Sequence, residues 1–325
     1  MSAKSVLFIG GTGVISSASV ALAAEHGWDV TVLNRGRSGA RPLPDGVESL
    51  NADVRDADAV GRAIGGRSFD VVADFLSFTP DQLHLDQVRG NTGQYVFISS
   101  ASAYQTPPTR LPVTESTPLR NPFWEYSRNK IACEDALIGE YRDTGYPVTI
   151  VRPSHTYDRT LLPTLAGWTD IDRMRRGVPV VVHGDGSSLW TITHTRDFAV
   201  GFVGLLGNRA AIGESFHITG DEAPTWDAIY RMLGAAAGVE PILAHVTSDA
   251  IAAAAPDLGD GLLGDKAHSM VFDNSKIKTL VPNFVQRTSF ADGARELIDW
   301  YDADASRRVV DAEKDALFDR LVGQA

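Results

Sequence analysis

"VLFIGGTGVIS", residues 6–16, decides the fold. The run Ser5–Ile9 is short and apolar and stops at glycines, which fits a strand buried on both faces. Val14–His26 reads as a helix with Gly27 as its stop. Gly10, Gly11 and Gly13 therefore lie in a strand-to-helix turn. The chain must turn sharply there, and bare backbone can come close to a pyrophosphate. The helix N-terminus offers that anion free N–H groups and a positive dipole end. A glycine pattern alone is weak, but in this context it points to dinucleotide binding. Gly10, Gly11, Thr12, Gly13, Val14 and Ile15 are the candidate contacts, and Ser16 takes the third small position.

The alternation continues. Val30–Leu33, Val47–Leu50, Phe69–Leu76, Gln94–Ile98 and Val148–Val151 read as further strands, apolar on both faces. Helices are expected at about Asp56–Ile64 and at Trp124–Tyr141. Such a series makes an α/β fold, a doubly wound parallel Rossmann sheet with right-handed crossovers. The second half is less regular. Pro179–His183 and Ser215–Ile218 look like strands, and Arg196–Leu206, Trp226–Ala237, Phe290–Tyr301 and Val309–Leu321 like helices. Residues 1–158 and 188–219 are assigned to the dinucleotide-binding domain. Residues 159–187 and 220–325 are assigned to a smaller, mixed C-terminal substrate domain. "DLGDGLLGDK", residues 257–266, reads as a loop, either a lid or an ordinary surface connection.

The net charge of −11 repels phosphate backbones, so nucleic acid is a poor default partner. Cys133 is the only cysteine, which rules out an internal disulfide. The N-terminal apolar run is too short for a signal peptide, and no apolar stretch approaches the length of a membrane span. A cytoplasmic protein with a small-molecule substrate is the simplest reading. No His/Cys/Asp cluster has metal-ligand spacing, and no Gly-x-Ser-x-Gly elbow is present.

The second strand of such a fold usually ends in an acid that bonds the ribose 2′-OH of NAD. Here "VTVLNRGR" puts Asn34 there, followed by Arg35 and Arg37. No carboxylate repels a 2′-phosphate, and two guanidiniums could clamp one. NADP is therefore favoured over NAD. Asp53 and Val54, after the third strand, are candidates for the adenine end. Asp74 and Phe75, at the end of the fourth, are candidates for the nicotinamide end.

"EYSRNK", residues 125–130, puts Tyr126 and Lys130 on one helix face. A tyrosine that serves as a base near neutrality needs its pKa of ~10 lowered by about 2–3 units. An ammonium ~4 Å away supplies about that much. Upstream, "FISSASAY" closes the fifth strand with Ser99 and Ser100, at the carboxyl edge where ligands sit. Glycine turn, strand-end serine and Tyr/Lys pair follow in the order that hydride chemistry requires.

These pieces carry a resemblance. With GGTGVIS, FISSASAY, YSRNK, VRPSHTYD and GDGSSLWTITHTRD, the chain resembles the extended short-chain dehydrogenase/reductase family, also called the NAD-dependent epimerase/dehydratase family, from about residue 4 to 220. The resemblance implies that Ser100, Tyr126 and Lys130 are the catalytic set. Tyr126 would exchange a proton with a hydroxyl or carbonyl while Ser100 bonds the same oxygen. Lys130 would also hold the nicotinamide ribose. The backbone at Pro153, Ser154 and Thr156 would lie against the carboxamide, and a homodimer through helices flanking the sheet is implied.

The chain departs from the pattern at two places. Ala101 and Ser102 stand where sugar dehydratases of the family carry an Asp–Glu pair, so that 4,6-dehydration is not expected. Trp190 stands where nucleotide-sugar enzymes often carry a diphosphate-gripping arginine. An indole cannot clamp phosphate but can stack on a sugar ring. "LNRG" and "LWTITHTRD" look like an atypical branch that includes chloroplast stem-loop RNA-binding proteins. Ser100, Ser102, Trp124, His155 and Trp190 are the candidate substrate pocket; His194 reads as structural and Cys133 as core. The leading expectation is an NAD(P)-dependent oxidoreductase or epimerase acting at a secondary alcohol or ketone carbon of a sugar-like or decorated metabolite. The alternative is a non-catalytic NAD(P)-binding sensor or RNA-associated protein.

Overall fold

The structure, a computed structural model, describes residues 3–36 and 41–323. The run Ser5–Ile9 is strand β1. Val6 and Phe8 enter one core, Leu7 and Ile9 the other, and none of the four is exposed. This is the period-two geometry of a strand covered on both sides.

Next come α1 (Val14–Glu25), β2 (Asp29–Asn34), β3 (Glu48–Asn51), α2 (Ala57–Ile64), β4 (Val71–Asp74), α3 (Leu85–Val88), β5 (Tyr95–Ile98), α4 (Glu125–Thr144) and β6 (Val148–Pro153). The middle of the chain forms β7 (His155–Tyr157), α5 (Trp168–Arg176), β8 (Val180–His183), β9 (Ile192–His194), α6 (Thr195–Leu205) and β10 (Ser215–Ile218). The remainder forms α7 (Trp226–Ala236), β11 (Leu243–Val246), α8 (Ser248–Ala254), α9 (Pro256–Gly261), α10 (Ser275–Leu280), α11 (Phe290–Asp302) and α12 (Ala312–Val322).

Seven parallel strands make the main sheet, in the order β10-β6-β5-β4-β1-β2-β3. The chain lays strands outward from β1 in one direction, then returns to lay β4 on its other side. The crevice above the carboxyl ends of β1 and β4 is the switch point where ligands of such sheets bind. Val20 and Ala23 of α1 and Phe198 and Phe202 of α6 cover one face. Val60 and Ile64 of α2 and Cys133 and Leu137 of α4 cover the other. The fold is thus the expected α/β Rossmann type. A separate cluster of Tyr157, Trp168, Trp190, Trp226, Phe290 and Leu297 anchors the less regular part. Two short parallel pairs, β8–β11 and β7–β9, accompany it.

A buried polar network fixes α4 against the sheet. Arg152 Nε donates to Glu134 Oε1 at 2.9 Å, with the two side chains 4% and 0% exposed. The same guanidinium donates to the Tyr104 hydroxyl at 3.2 Å, which lies 3.1 Å from His217 Nδ1. One charged pair so links α4 to β6, and two neutral groups carry the link to β10.

Three expectations need correction. Strand β3 is not apolar on both faces: Glu48, Ser49 and Asn51 are exposed, because it is the sheet edge. Strand β4 ends at Asp74 rather than Leu76, because the Asp74 carboxylate accepts from Leu76 N and Ser77 N and turns the chain. Residues 257–266 are not a loop. They form most of α9 and then the π-helical turn Leu262–Lys266, closed by Ala267 N donating to Leu262 O at 2.8 Å. No helix among the described residues is long and apolar enough to cross a membrane.

Candidate active site

The glycine turn works largely as expected. Gly10 has φ of +86°, and a Cβ on it would strike the Leu76 side chain. Gly13 caps α1, and its N–H donates to Ser16 Oγ at 3.0 Å. Gly10, Thr12, Gly13 and Ile15 line a cavity of about 310 Å³, with Asn34, Arg35, Asp53, Val54, Arg55 and Phe75 on its other walls. Gly11 and Val14 do not line it. Gly11 instead lets α1 seat on β2, since a Cβ there would lie 2.6 Å from Val32 Cγ1. Val14 opens the helix.

At the end of β2, Asn34 Oδ1 accepts from Gly36 N at 2.7 Å, which locks the turn. Arg35 is half exposed and reaches Asp53 at 3.9 Å. Arg37 lies outside the described residues. Arg41 is drawn away by Asp158 at 2.6 Å and does not line the cavity. Arg55, which nothing in the sequence singles out, joins the rim.

A second cavity, about 410 Å³, shares Ile15, Phe75 and Phe78 with the first, so one trough runs from the glycine turn to the Tyr126 helix. Ser99, Ser100, Ser102, Trp124, Tyr126, Lys130, Pro153, Ser154, His155, Thr156 and Trp190 all line it. Asp74 does not, contrary to expectation. It is fully buried, and its carboxylate is taken by Leu76 N, Ser77 N, Ser77 Oγ and the Tyr95 hydroxyl. Its work is to shape the turn after β4.

Lys130 is 2% exposed, and its Nζ donates to Ser77 O at 2.7 Å and Ile98 O at 2.8 Å. It lies 5.9 Å from the Tyr126 ring centroid. Burial pulls its pKa down to about 8. The expected ammonium-driven lowering of the Tyr126 pKa is not what the site produces. Burial pushes the Tyr126 phenol up to about 12, with the Ser100 hydroxyl opposing and the Asp265 charge adding to the rise. Desolvation is the largest cause, and it favours the neutral phenol.

Asn121 assembles the serine side of the site. Its Nδ2 donates to Ser102 O at 2.9 Å and to Gly264 O at 2.6 Å, and its Oδ1 accepts from Trp124 N at 3.0 Å. Ser102 Oγ lies 2.8 Å from Ser100 Oγ and accepts from Ser127 Oγ at 2.7 Å. The Asn121–Gly264 bond spans 143 residues, so no local signal announces it. For the same reason Asp265 and Lys266, which line the cavity, fall in a stretch that reads from sequence as a loop.

Trp190 is 2% exposed, and its ring stacks on Trp226 at 5.7 Å. The His155 imidazole is pushed down to about 3 by burial and by the Lys266 charge. His194 caps α6 by accepting from Arg196 N, and Cys133 is buried in the core, as expected of both. Ser99 Oγ, His155 Nε2 and Trp190 Nε1 are buried with no hydrogen-bond partner among the described residues. A turn that excludes side chains, a helix N-terminus and an unpartnered strand-end hydroxyl on one trough fit a nicotinamide dinucleotide. Among the described residues no group of His, Cys, Asp and Glu could hold a metal ion.

Residues 6–84 and 82–219 match the model of the NAD dependent epimerase/dehydratase family. The chain belongs to that family. It is an enzyme of the nicotinamide-dependent epimerase and dehydrogenase type. The chain is 27% identical to 2′-dehydrokanamycin reductase of Streptomyces kanamyceticus over 290 residues, 87% of this chain and 80% of that one. It is 27% identical to the chloroplast stem-loop binding protein of 41 kDa b of Arabidopsis thaliana over 258 residues, 75% of this chain and 66% of that one. Among solved structures, UDP-glucose 4-epimerase from Bifidobacterium longum, in complex with NAD+ and UDP, superposes with a TM-score of 0.75 at 18% identity. That match covers 94% of this chain and 100% of the other, and at such identity it speaks to the fold alone.

In this family member, His155 stays neutral from physiological pH down to about 3. The check is an NMR titration of the imidazole resonances, with His155→Gln to assign the signal. A midpoint above about 5 would contradict the burial argument.

Proposed function

We propose that this enzyme is a nicotinamide-dependent oxidoreductase acting at a secondary alcohol or ketone carbon of a sugar-like metabolite, working as a reductase with Tyr126 as proton donor. One observation carries the reading. Tyr126 and Ser100 line the same cavity, and that cavity continues into the glycine turn. The similarity to a named reductase over most of both chains supports the direction.

On this reading the pyrophosphate lies at Gly10–Gly13 and the α1 N-terminus. The adenosine end meets Asn34, Arg35, Asp53, Val54 and Arg55. Phe75, Ser99, Lys130, Pro153, Ser154 and Thr156 hold the nicotinamide end. When bound, the nicotinamide supplies the hydride.

The chain's own residues do the rest. Tyr126, with its pKa raised to about 12, carries its proton throughout the neutral range. A carbonyl oxygen that gains negative charge can take that proton while Ser100 donates to the same oxygen. Lys130 holds α4 on the ends of β4 and β5 and so sets where the phenol stands. The cofactor portion, 1–158 and 188–219, and the substrate portion, 159–187 and 220–325, meet at this cavity. NADP is the preferred cofactor on this reading. No carboxylate ends β2, and Arg35 and Arg55 line the rim, though Asp53 shares it. The fold's usual sites for a homodimer are the helices flanking the sheet.

Tyr126→Phe lowers kcat for carbonyl reduction about 10²–10⁴-fold while leaving cofactor affinity within about twofold. Retained turnover or retained biological function in that variant would sink the enzymatic reading in favour of a cofactor-binding sensor. Arg35→Ala weakens NADPH about tenfold and NADH hardly at all, by fluorescence titration. Equal effects on both would remove the NADP preference.

A further inference from the structure

Part of the substrate-side wall comes from the π-helical turn Leu262–Lys266. Such turns are rare and concentrate at functional sites. This one is anchored from three sides. Asn121 Nδ2 holds Gly264 O at 2.6 Å. Trp124 packs where a Gly264 side chain would be, its Cβ 2.7 Å from the position a new Cβ would take. Lys266 O accepts from Trp226 Nε1 at 3.3 Å and Ser188 Oγ at 3.4 Å.

The anchored backbone delivers Asp265 and Lys266 to the cavity with 3.7 Å between their charges and side chains 15% and 19% exposed. Lys266 Nζ lies 5.8 Å from the Trp124 ring centroid and 5.7 Å from that of Trp190. Two unpartnered ring nitrogens, His155 Nε2 and Trp190 Nε1, belong to the same wall.

The charges of Asp265 and Lys266 nearly cancel. Burial raises the Asp265 carboxyl to about 6, so at neutral pH it is a carboxylate beside the Lys266 ammonium. His155 is neutral, and Lys130, which keeps its charge, directs two of its N–H groups to the Ser77 and Ile98 carbonyls. Among the described residues no arginine lines the cavity. A diphosphate placed at this wall would find the Lys266 ammonium with a repelling carboxylate beside it and no guanidinium to clamp it among the described lining residues.

Resting on the proposed oxidoreductase reading, we infer that Asp265 and Lys266 are specificity residues that select an uncharged, hydroxyl-rich ring over a nucleoside-diphosphate sugar. The carboxylate accepts from ring hydroxyls, the ammonium donates to them, and the indoles of Trp124 and Trp190 bound the slot.

The test is calorimetric binding to the protein saturated with reduced cofactor at about pH 7.5. The probes are methyl glucoside, glucuronate, glucosamine and UDP-glucose. The wild type binds the neutral glycoside about tenfold or more tightly than the other three. Asp265→Asn leaves an extra positive charge and shifts preference about tenfold towards glucuronate. Lys266→Met leaves an extra negative charge and shifts it similarly towards glucosamine. The double variant restores the neutral preference at lower affinity. A preference order that neither single variant moves overturns the inference, as does UDP-glucose as the best wild-type ligand or no binding of the neutral ring. Lys266→Gln replaces Lys266→Met if the latter fails to fold. The same titrations on Tyr126→Phe keep the two readings apart. An order intact in that variant with turnover unaffected defeats the catalytic reading alone, and a defeated order with Tyr126-dependent turnover defeats only the specificity.

Discussion

The site depends on where Lys130 puts its protons. The side chain is buried, and two of its N–H groups go to Ser77 O and Ile98 O, just beyond β4 and at the last residue of β5. A buried ammonium without such acceptors would cost several kcal/mol, so the two carbonyls and the lysine require one another. The requirement passes along the chain. Asp74 shapes the turn that presents Ser77 O, Lys130 grips that turn, and one helical turn earlier on the same face stands Tyr126. Position α4 on the sheet, and the phenol is positioned in the cavity beside Ser99 and Ser100 at the end of β5 and Pro153 at the end of β6.

The same burial sets the chemistry. An enclosed phenol is a weaker acid, so Tyr126 keeps its proton in the neutral range. The lysine ties α4 to the sheet, and burial loosens its own proton to about pH 8. His155, close to a second ammonium and out of water, stays uncharged. Around the Tyr126 hydroxyl the cavity therefore holds the Ser100 and Ser102 hydroxyls and the aromatic walls of Phe78 and Trp124. The ionised pair it does contain, Asp265 with Lys266, is set by a distant turn.

Local features are legible in the sequence. The glycine turn, the strand-end serines and the Tyr126–Lys130 spacing each need only a few consecutive residues and one type of secondary structure. The parallel sheet follows from apolar runs such as Val6–Ile9 and Tyr95–Ile98, whose alternate residues fill different cores. Side-chain direction is not legible. Asp74 ends a strand at the right edge, yet its carboxylate turns inward to cap the following turn. Trp190 lines the cavity as read from sequence, but it also leans on Trp226 of the distant helix α7, which no pattern encodes. The widest gap between sequence and structure is 257–266, where glycines and aspartates suggest a loop. Contacts from Asn121, Trp124 and Trp226 hold it in helical and π-helical form, which is tertiary structure overriding local propensity.

The most direct test is a crystal structure with nicotinamide cofactor and a carbonyl substrate or its alcohol. The account predicts the pyrophosphate at the α1 N-terminus and the nicotinamide ring against the shared wall of Ile15, Phe75 and Phe78. It also predicts the Tyr126 and Ser100 hydroxyls both about 3 Å from one substrate oxygen. A cofactor seated elsewhere, or a Tyr126 hydroxyl turned away from that oxygen, would contradict it.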